Sequence, residues 1–211
     1  MDMNNWHDKL PGNEFDYLAL MGALKEYKRP RDKVSKLLQS GDIIRIKKGF
    51  YVLGPDLRKT PGSCREVLGN QLYGPSYLSL EYALSWHQLI PERVEAVTSV
   101  TLYKPKSFVT PVGTFTYQHI KMDYYSYGIL SQTLDDGRGF LLASPEKAIA
   151  DKVYFSKGLK SLNDLRTFLF DNLRVEQEEF SGMDAHFFQE LATVENRTSL
   201  RLLSELAREC S

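Results

Sequence analysis

Between residues 30 and 53 the apolar positions change period, from that of a helix to that of a strand. Val34, Leu37 and Leu38 recur at i, i+3 and i+4, the spacing that lines up one face of an α-helix. Pro30 suits the first turn, where a missing N–H removes no intrahelical bond, and Asp32 sits where the helix dipole favours a carboxylate. Gly41 supplies a left-handed stop. After it, Ile44 and Ile46 alternate with Arg45 and Lys47, which predicts a strand with the isoleucines on one face and the cations on the other. Lys48-Gly49 predicts a tight turn, since glycine admits positive φ, and Phe50-Tyr51-Val52-Leu53 a second strand rich in β formers. A helix over 15–27 precedes this unit, with Phe15, Leu18 and Leu24 available for packing.

Proline and glycine clusters at Gly54-Pro55-Asp56 and Thr60-Pro61-Gly62-Ser63 break both periods. They place a boundary between a domain over 1–59 and a second over 60–211. The second opens with helices over 64–73 and 79–88, continues with strands over 96–103, 107–110 and 115–120, and turns at 135–139 into Phe140-Leu141-Leu142. Ser144 as cap and Pro145 at the first position start a helix running to about residue 156. Helices over 162–173, 183–194 and 198–208 complete an α+β chain with a mixed α/β second domain ending in helices.

Charge sharpens the picture of the first region. From Phe15 to Lys59 there are eleven bases (Lys25, Lys28, Arg29, Arg31, Lys33, Lys36, Arg45, Lys47, Lys48, Arg58, Lys59) and five acids (Asp16, Glu26, Asp32, Asp42, Asp56), a net +6. The 211-residue chain is formally neutral, so the remainder carries −6. Such asymmetry suggests an anion-facing module attached to a part with a different partner. Helix residues Arg31, Asp32, Lys33, Ser35, Lys36 and Gln39 offer cations and hydrogen-bonding groups of the kind that read base edges and grip phosphates, and the charged hairpin follows at once. A solvated basic face is the bland reading of the same pattern.

Four segments occur in an order that resembles AbiEi-like proteins, antitoxins of type IV toxin-antitoxin systems and related regulators of phage defence. They are Arg29-Pro30-Arg31-Asp32-Lys33-Val34, Lys47-Lys48-Gly49-Phe50-Tyr51, Gly74-Pro75-Ser76-Tyr77-Leu78-Ser79-Leu80-Glu81-Tyr82-Ala83-Leu84, and Ala143-Ser144-Pro145-Glu146-Lys147-Ala148-Ile149-Ala150-Asp151. Together they span about two thirds of the chain. The resemblance implies an N-terminal winged helix-turn-helix domain that binds an inverted-repeat operator in double-stranded DNA and represses its own operon. It also implies a C-terminal domain that counters a nucleotidyltransferase-like toxin without a stable complex. By position, Arg31, Lys33, Ser35 and Lys36 become groove or phosphate contacts and Arg45, Lys47 and Lys48 wing contacts; Arg29 and Gln39 complete the candidate set. The chain departs from a full winged helix in showing two helices before the wing where three are usual. Either 15–27 divides around Gly22 or the module is abbreviated.

The remaining motifs favour structure over chemistry. Glu146 sits in a first helical turn, and Lys147 with Asp151 is an i, i+4 pair. Ser79-Leu80-Glu81 beside Trp86-His87 reads as a capped helix with an aromatic packing end. His7, His87, His119 and His186 are scattered singly, and Cys64 and Cys210 have no partners at ligand spacing. Tyr124-Tyr125-Ser126-Tyr127 falls in a strand-rich region and covers a core or an interface. Gly62-Ser63 lacks the paired carboxylates a nucleotidyltransferase site needs, and Glu26-Tyr27-Lys28 lies in an expected helix without the acidic strand of a nuclease. We therefore expect no catalytic set, no metal and no cofactor. No apolar run approaches the length of a membrane span and the start lacks a basic, apolar leader, so a cytoplasmic protein, a monomer or weak dimer, is expected. The alternative is a protein-interaction adaptor or a regulator with no toxin partner.

Overall fold

Pro30 and Gly41 bound a helix in the structure, a computed structural model that describes residues 5–58, 65–135 and 137–210. By its contacts the chain divides into two units, Met1–Leu68 with Val109–Gly113, and Gly69–Phe108 with Thr114–Ser211. The fold is α+β. The cluster Thr60-Pro61-Gly62-Ser63, Cys64 and Asp136 lie outside the described residues.

Unit 1 begins with a 3₁₀ turn, Trp6–Lys9, and a short strand β1, Glu14–Asp16. Helix α1, Tyr17–Ala23, starts because Asp16 stands in the extended region and its carboxylate accepts from Ala19 N at 2.7 Å. The expected helix over 15–27 is therefore shorter: Phe15 is in β1, and residues 24–28 form a turn and a bend. Leu18, expected to pack, is 78 % exposed. Helix α2, Pro30–Ser40, ends at Gly41 with φ 77°. Strands β2, Ile43–Lys47, and β3, Phe50–Leu53, form the hairpin, and β1 pairs with β3 to give the sheet order β1-β3-β2. A register shift between Arg45 and Lys47 interrupts the expected alternation, so the buried isoleucines are Ile43 and Ile46 while Ile44 is half-buried. A bulge of this kind adds one residue to one strand and breaks the period of two. Trp6, Leu10, Phe15, Leu20, Leu24, Val34, Leu37, Ile43, Tyr51 and Leu53 form one core. Burying a side chain such as Leu37 contributes about 2–3 kcal/mol.

Helix α3, Arg65–Leu72, leads into unit 2, which holds most of a six-stranded sheet of order β6-β7-β5-β4-β9-β8. Its strands are β4 (Ser76–Leu78), β5 (Val97–Thr101), β6 (Lys106–Thr110), β7 (Gly113–His119), β8 (Ile129–Thr133) and β9 (Gly139–Ala143). Strand β4 lies antiparallel to β5 and parallel to β9, and β5 lies parallel to β7 with Val97 opposite Phe115. Helix α4, Leu80–Trp86, follows β4, and the short α5, Met122–Tyr125, precedes β8. Tyr124, on α5, is fully buried. Ser144 and Pro145 start α6, Pro145–Phe155, as expected, with Ser144 Oγ accepting from Lys147 N at 3.1 Å. Helix α7, Leu162–Arg166, passes into a π turn at Thr167–Asn172, and α8 (Gln177–Ser181), α9 (Ala185–Val194) and α10 (Thr198–Cys210) end the chain. Among the described residues no helix is long and apolar enough to cross a membrane.

Candidate nucleic-acid interface

All nine sequence-selected cations and polar groups lie in unit 1. Helix α2 buries Val34 and Leu37 and leaves Arg31, Ser35, Lys36 and Gln39 exposed, with Lys33 half-buried. Arg29 stands at the N-cap without a side-chain cap bond; its guanidinium lies 3.7 Å from Asp32 across an exposed pair. Such a pair is solvent-screened and holds little energy. Lys33 carries its ammonium 5.4 Å from the centroid of the Tyr27 ring. Tyr27, Lys28, Arg29, Asp32, Lys33 and Lys36 line one open depression of about 520 Å³. Four cations against one carboxylate make it an anion-attracting concavity.

The hairpin residues are placed separately. Arg45 and Lys48 are exposed, and Lys47 is half-buried with its ammonium 5.9 Å from the centroid of Phe50. None of them lines the depression on α2. Gly49, at φ 80°, makes the turn, and its carbonyl accepts from Tyr17 N at 2.9 Å, fixing the hairpin tip to the start of α1. Ser35 Oγ donates to Arg31 O at 3.4 Å, a long bond that leaves the hydroxyl free to turn toward another acceptor. Sequence reasoning missed Tyr27 and Lys28 because the helix expected over 15–27 ran right up to them, whereas α1 ends at Ala23 and the segment before α2 carries both to the rim. Glu26, in the same segment, pairs with Lys9 at 2.9 Å, and that ammonium holds its carboxyl below the usual range.

A second polar cluster lies inside unit 2. Asp151, fully buried on α6, accepts from Tyr77 OH at 2.9 Å and from Ser79 Oγ at 2.6 Å through the same oxygen. Its other oxygen lies 3.3 Å from Lys147 Nζ, which donates to Tyr124 O at 2.9 Å and sits 3.3 Å from the centroid of the Tyr124 ring. The sequence identified the i, i+4 pair but not its burial. Ser79 occupies the N-cap of α4 as expected, yet its side chain makes no cap bond and is spent on Asp151. Burial lowers the Lys147 ammonium to about 8 even though Asp151 pulls it upward. Burial and then the Asp151 charge push the Tyr77 and Tyr124 phenols well above their ordinary value. Ser79, Lys147 and Asp151 have no solvent exposure, so this closed cluster ties β4 to α6 rather than meeting a ligand. Glu81, in the first turn of α4, pairs with Lys152.

Among the described residues no three His, Cys, Asp or Glu side chains converge in a way that could hold a metal ion. His87 Nε2 lies 2.8 Å from Ala143 O, and His186 faces Glu190 at 3.7 Å. Comparison with protein-family models and with curated proteins finds no match for this chain.

Proposed function

We propose that unit 1 is a winged-helix module that binds double-stranded DNA, and that the protein is a transcriptional repressor and antitoxin of the AbiEi-like kind. The observation carrying the DNA-binding reading is the exposed polar and basic face of α2 joined through Gly41 to a basic hairpin, in a region of net +6. The element order supports it. A 3₁₀ turn, β1, α1, α2, β2 and β3, with β1 paired to β3, is the succession expected of a winged helix whose first helix is reduced to a single turn. In that reading α2 enters the major groove with Arg31, Lys33, Ser35, Lys36 and Gln39 toward the bases and phosphates, and Arg45, Lys47 and Lys48 track the adjacent backbone. Arg29 closes on a phosphate near the N-terminal end of α2.

The antitoxin half rests on the ordered resemblance of the four sequence segments. A two-fold operator pairs two copies on DNA without requiring a stable dimer in solution. Binding is tested with the DNA upstream of the gene. Wild type is expected to retain this fragment in preference to a scrambled one, with affinity falling steeply in salt; equal retention of both would remove the repressor. Co-expression with a nucleotidyltransferase-like protein encoded next to the gene tests the antitoxin. Growth rescued by this chain supports it, and arrest unchanged by it refutes it.

A further inference from the structure

We infer that unit 2 carries its own site for single-stranded nucleic acid, on an aromatic and cationic shelf formed by Tyr73, Tyr103, Lys104, Lys106 and Phe108. The shelf is built from the residue that follows α3, the segment after β5, and strand β6 at the sheet edge. Tyr73 is its hub, with ring centroids 5.6 Å from Tyr103, 5.9 Å from Phe108 and 5.3 Å from Tyr117. Tyr117 anchors the cluster from below: it is buried, and its hydroxyl donates to Gly69 O at 2.6 Å. Tyr103, by contrast, is 52 % exposed. Tyr73 OH donates to Lys104 O at 3.3 Å, so the hub also holds the backbone that presents the lysines. Lys106 lays its ammonium 5.3 Å from the Tyr73 centroid and 4.9 Å from that of Phe108.

Charge complementarity selects the occupant. Residues 96–122 contain no Asp or Glu, although the chain outside 15–59 carries a net −6. Lys121 is committed to Glu195, but Lys104 and Lys106 have no carboxylate partner among the described residues. Two lysines separated by Pro105 stand at most about 7 Å apart along the backbone, a step comparable to the phosphate spacing of an extended single strand. An open tyrosine face beside two unpaired ammoniums suits a base stacked between flanking phosphates. Duplex DNA, with its bases already stacked, has no face to offer Tyr103. The inference is independent of the duplex reading for unit 1.

The test uses full-length protein carrying Arg31→Ala and Lys36→Ala, which weakens α2 as a competing site, with fluorescein-labelled dT12 and U12 strands at about 50 mM salt. Both strands are expected to bind; a preference for one identifies DNA or RNA as the source. Adding Tyr103→Ala should weaken binding about tenfold, and Lys104→Gln with Lys106→Gln should flatten the salt slope by about 1.4. Photo-crosslinks from 5-iodouracil strands should map to Tyr103 or Phe108. No retention of either strand, crosslinks confined to α2, or displacement by a poly-glutamate peptide as effective as by dT12 would overturn the inference.

Discussion

Asp151 holds two hydroxyl donors on one oxygen and an ammonium beside the other, all away from water. Removing it leaves the Lys147 charge buried without a counter-ion, so Asp151→Ala is expected to cost about 3–5 kcal/mol in urea unfolding. The double change Lys147→Met with Asp151→Leu should cost less, because it removes both charges together. The pH dependence has a definite sign. Lys147 is lowered to about 8 in the fold from an ordinary 10.5, so between those values the unfolded chain binds more protons and this group adds stability as pH rises. The same contribution is lost as pH falls through about 8. Tyr77 and Tyr124, raised by burial, act oppositely: above about pH 10 the unfolded phenols ionise first and stability declines. The stability difference between wild type and the double variant is expected to grow from pH 8 to pH 10. A flat difference across that range would show that Lys147 keeps its ordinary affinity for the proton. Arg31 and Lys36 are exposed, so Arg31→Ala with Lys36→Ala should leave unfolding unchanged. It should weaken operator binding and reduce its salt slope by about 1.8, measured by titration across salt concentrations.

Turns and element ends separate two kinds of glycine. Gly41 has φ 77° but open space around an added Cβ, so Gly41→Ala is expected to cost only the left-handed strain, about 1–2 kcal/mol. Gly128, at φ 61°, would place a Cβ 2.6 Å from Phe187 Cζ and 2.8 Å from Lys147 Cβ. Gly128→Ala adds overpacking to strain and should cost roughly 2–5 kcal/mol, with both variants compared by urea midpoints. Equal costs would mean that the Phe187 side of the site yields freely. The elements that could be read directly from sequence are those with chemical punctuation: α2 between Pro30 and Gly41, the Gly49 turn, and α6 behind Ser144 and Pro145. The failures share a cause as well. Asp16 caps α1 from inside the expected helix, and nothing in the local period distinguishes that cap from a surface carboxylate. Strands β4 and β8 and helices α5 and α8 are three to five residues long, too short for a period to emerge, and are held by pairing or packing with distant parts of the chain. The bulge at Ile46 is likewise a product of pairing with β3. Candidate residues on α2 were legible because exposure follows from the helical period, whereas Tyr27 and Lys28 depended on where α1 ended. The shelf around Tyr73 joins residues from 73 to 117 and has no local signature.

Two cores within one chain allow the two proposed sites to be tested one at a time. The apolar cluster of unit 1 is drawn entirely from residues 6–57, while most of the six-stranded sheet and its helices bury their own side chains in unit 2. Each unit has a tryptophan: Trp6 is buried in the first core, and the more exposed Trp86 of unit 2 packs on the buried Phe140 at 5.3 Å. Trp86→Phe and Trp6→Phe variants therefore report the units one at a time. Duplex bound to unit 1 stabilises only the state that binds it, by about 2.7 kcal/mol at a hundredfold excess over Kd. Operator DNA is expected to raise the unfolding midpoint seen through Trp6 and leave that seen through Trp86 unchanged, in urea titrations of the two variants. Binding at the Tyr73 shelf would move the second midpoint instead, and dT12 supplies that control. If operator DNA shifts both midpoints equally, the units unfold as one cooperative body, and ligand binding at one end of the sequence is coupled to the stability of the other.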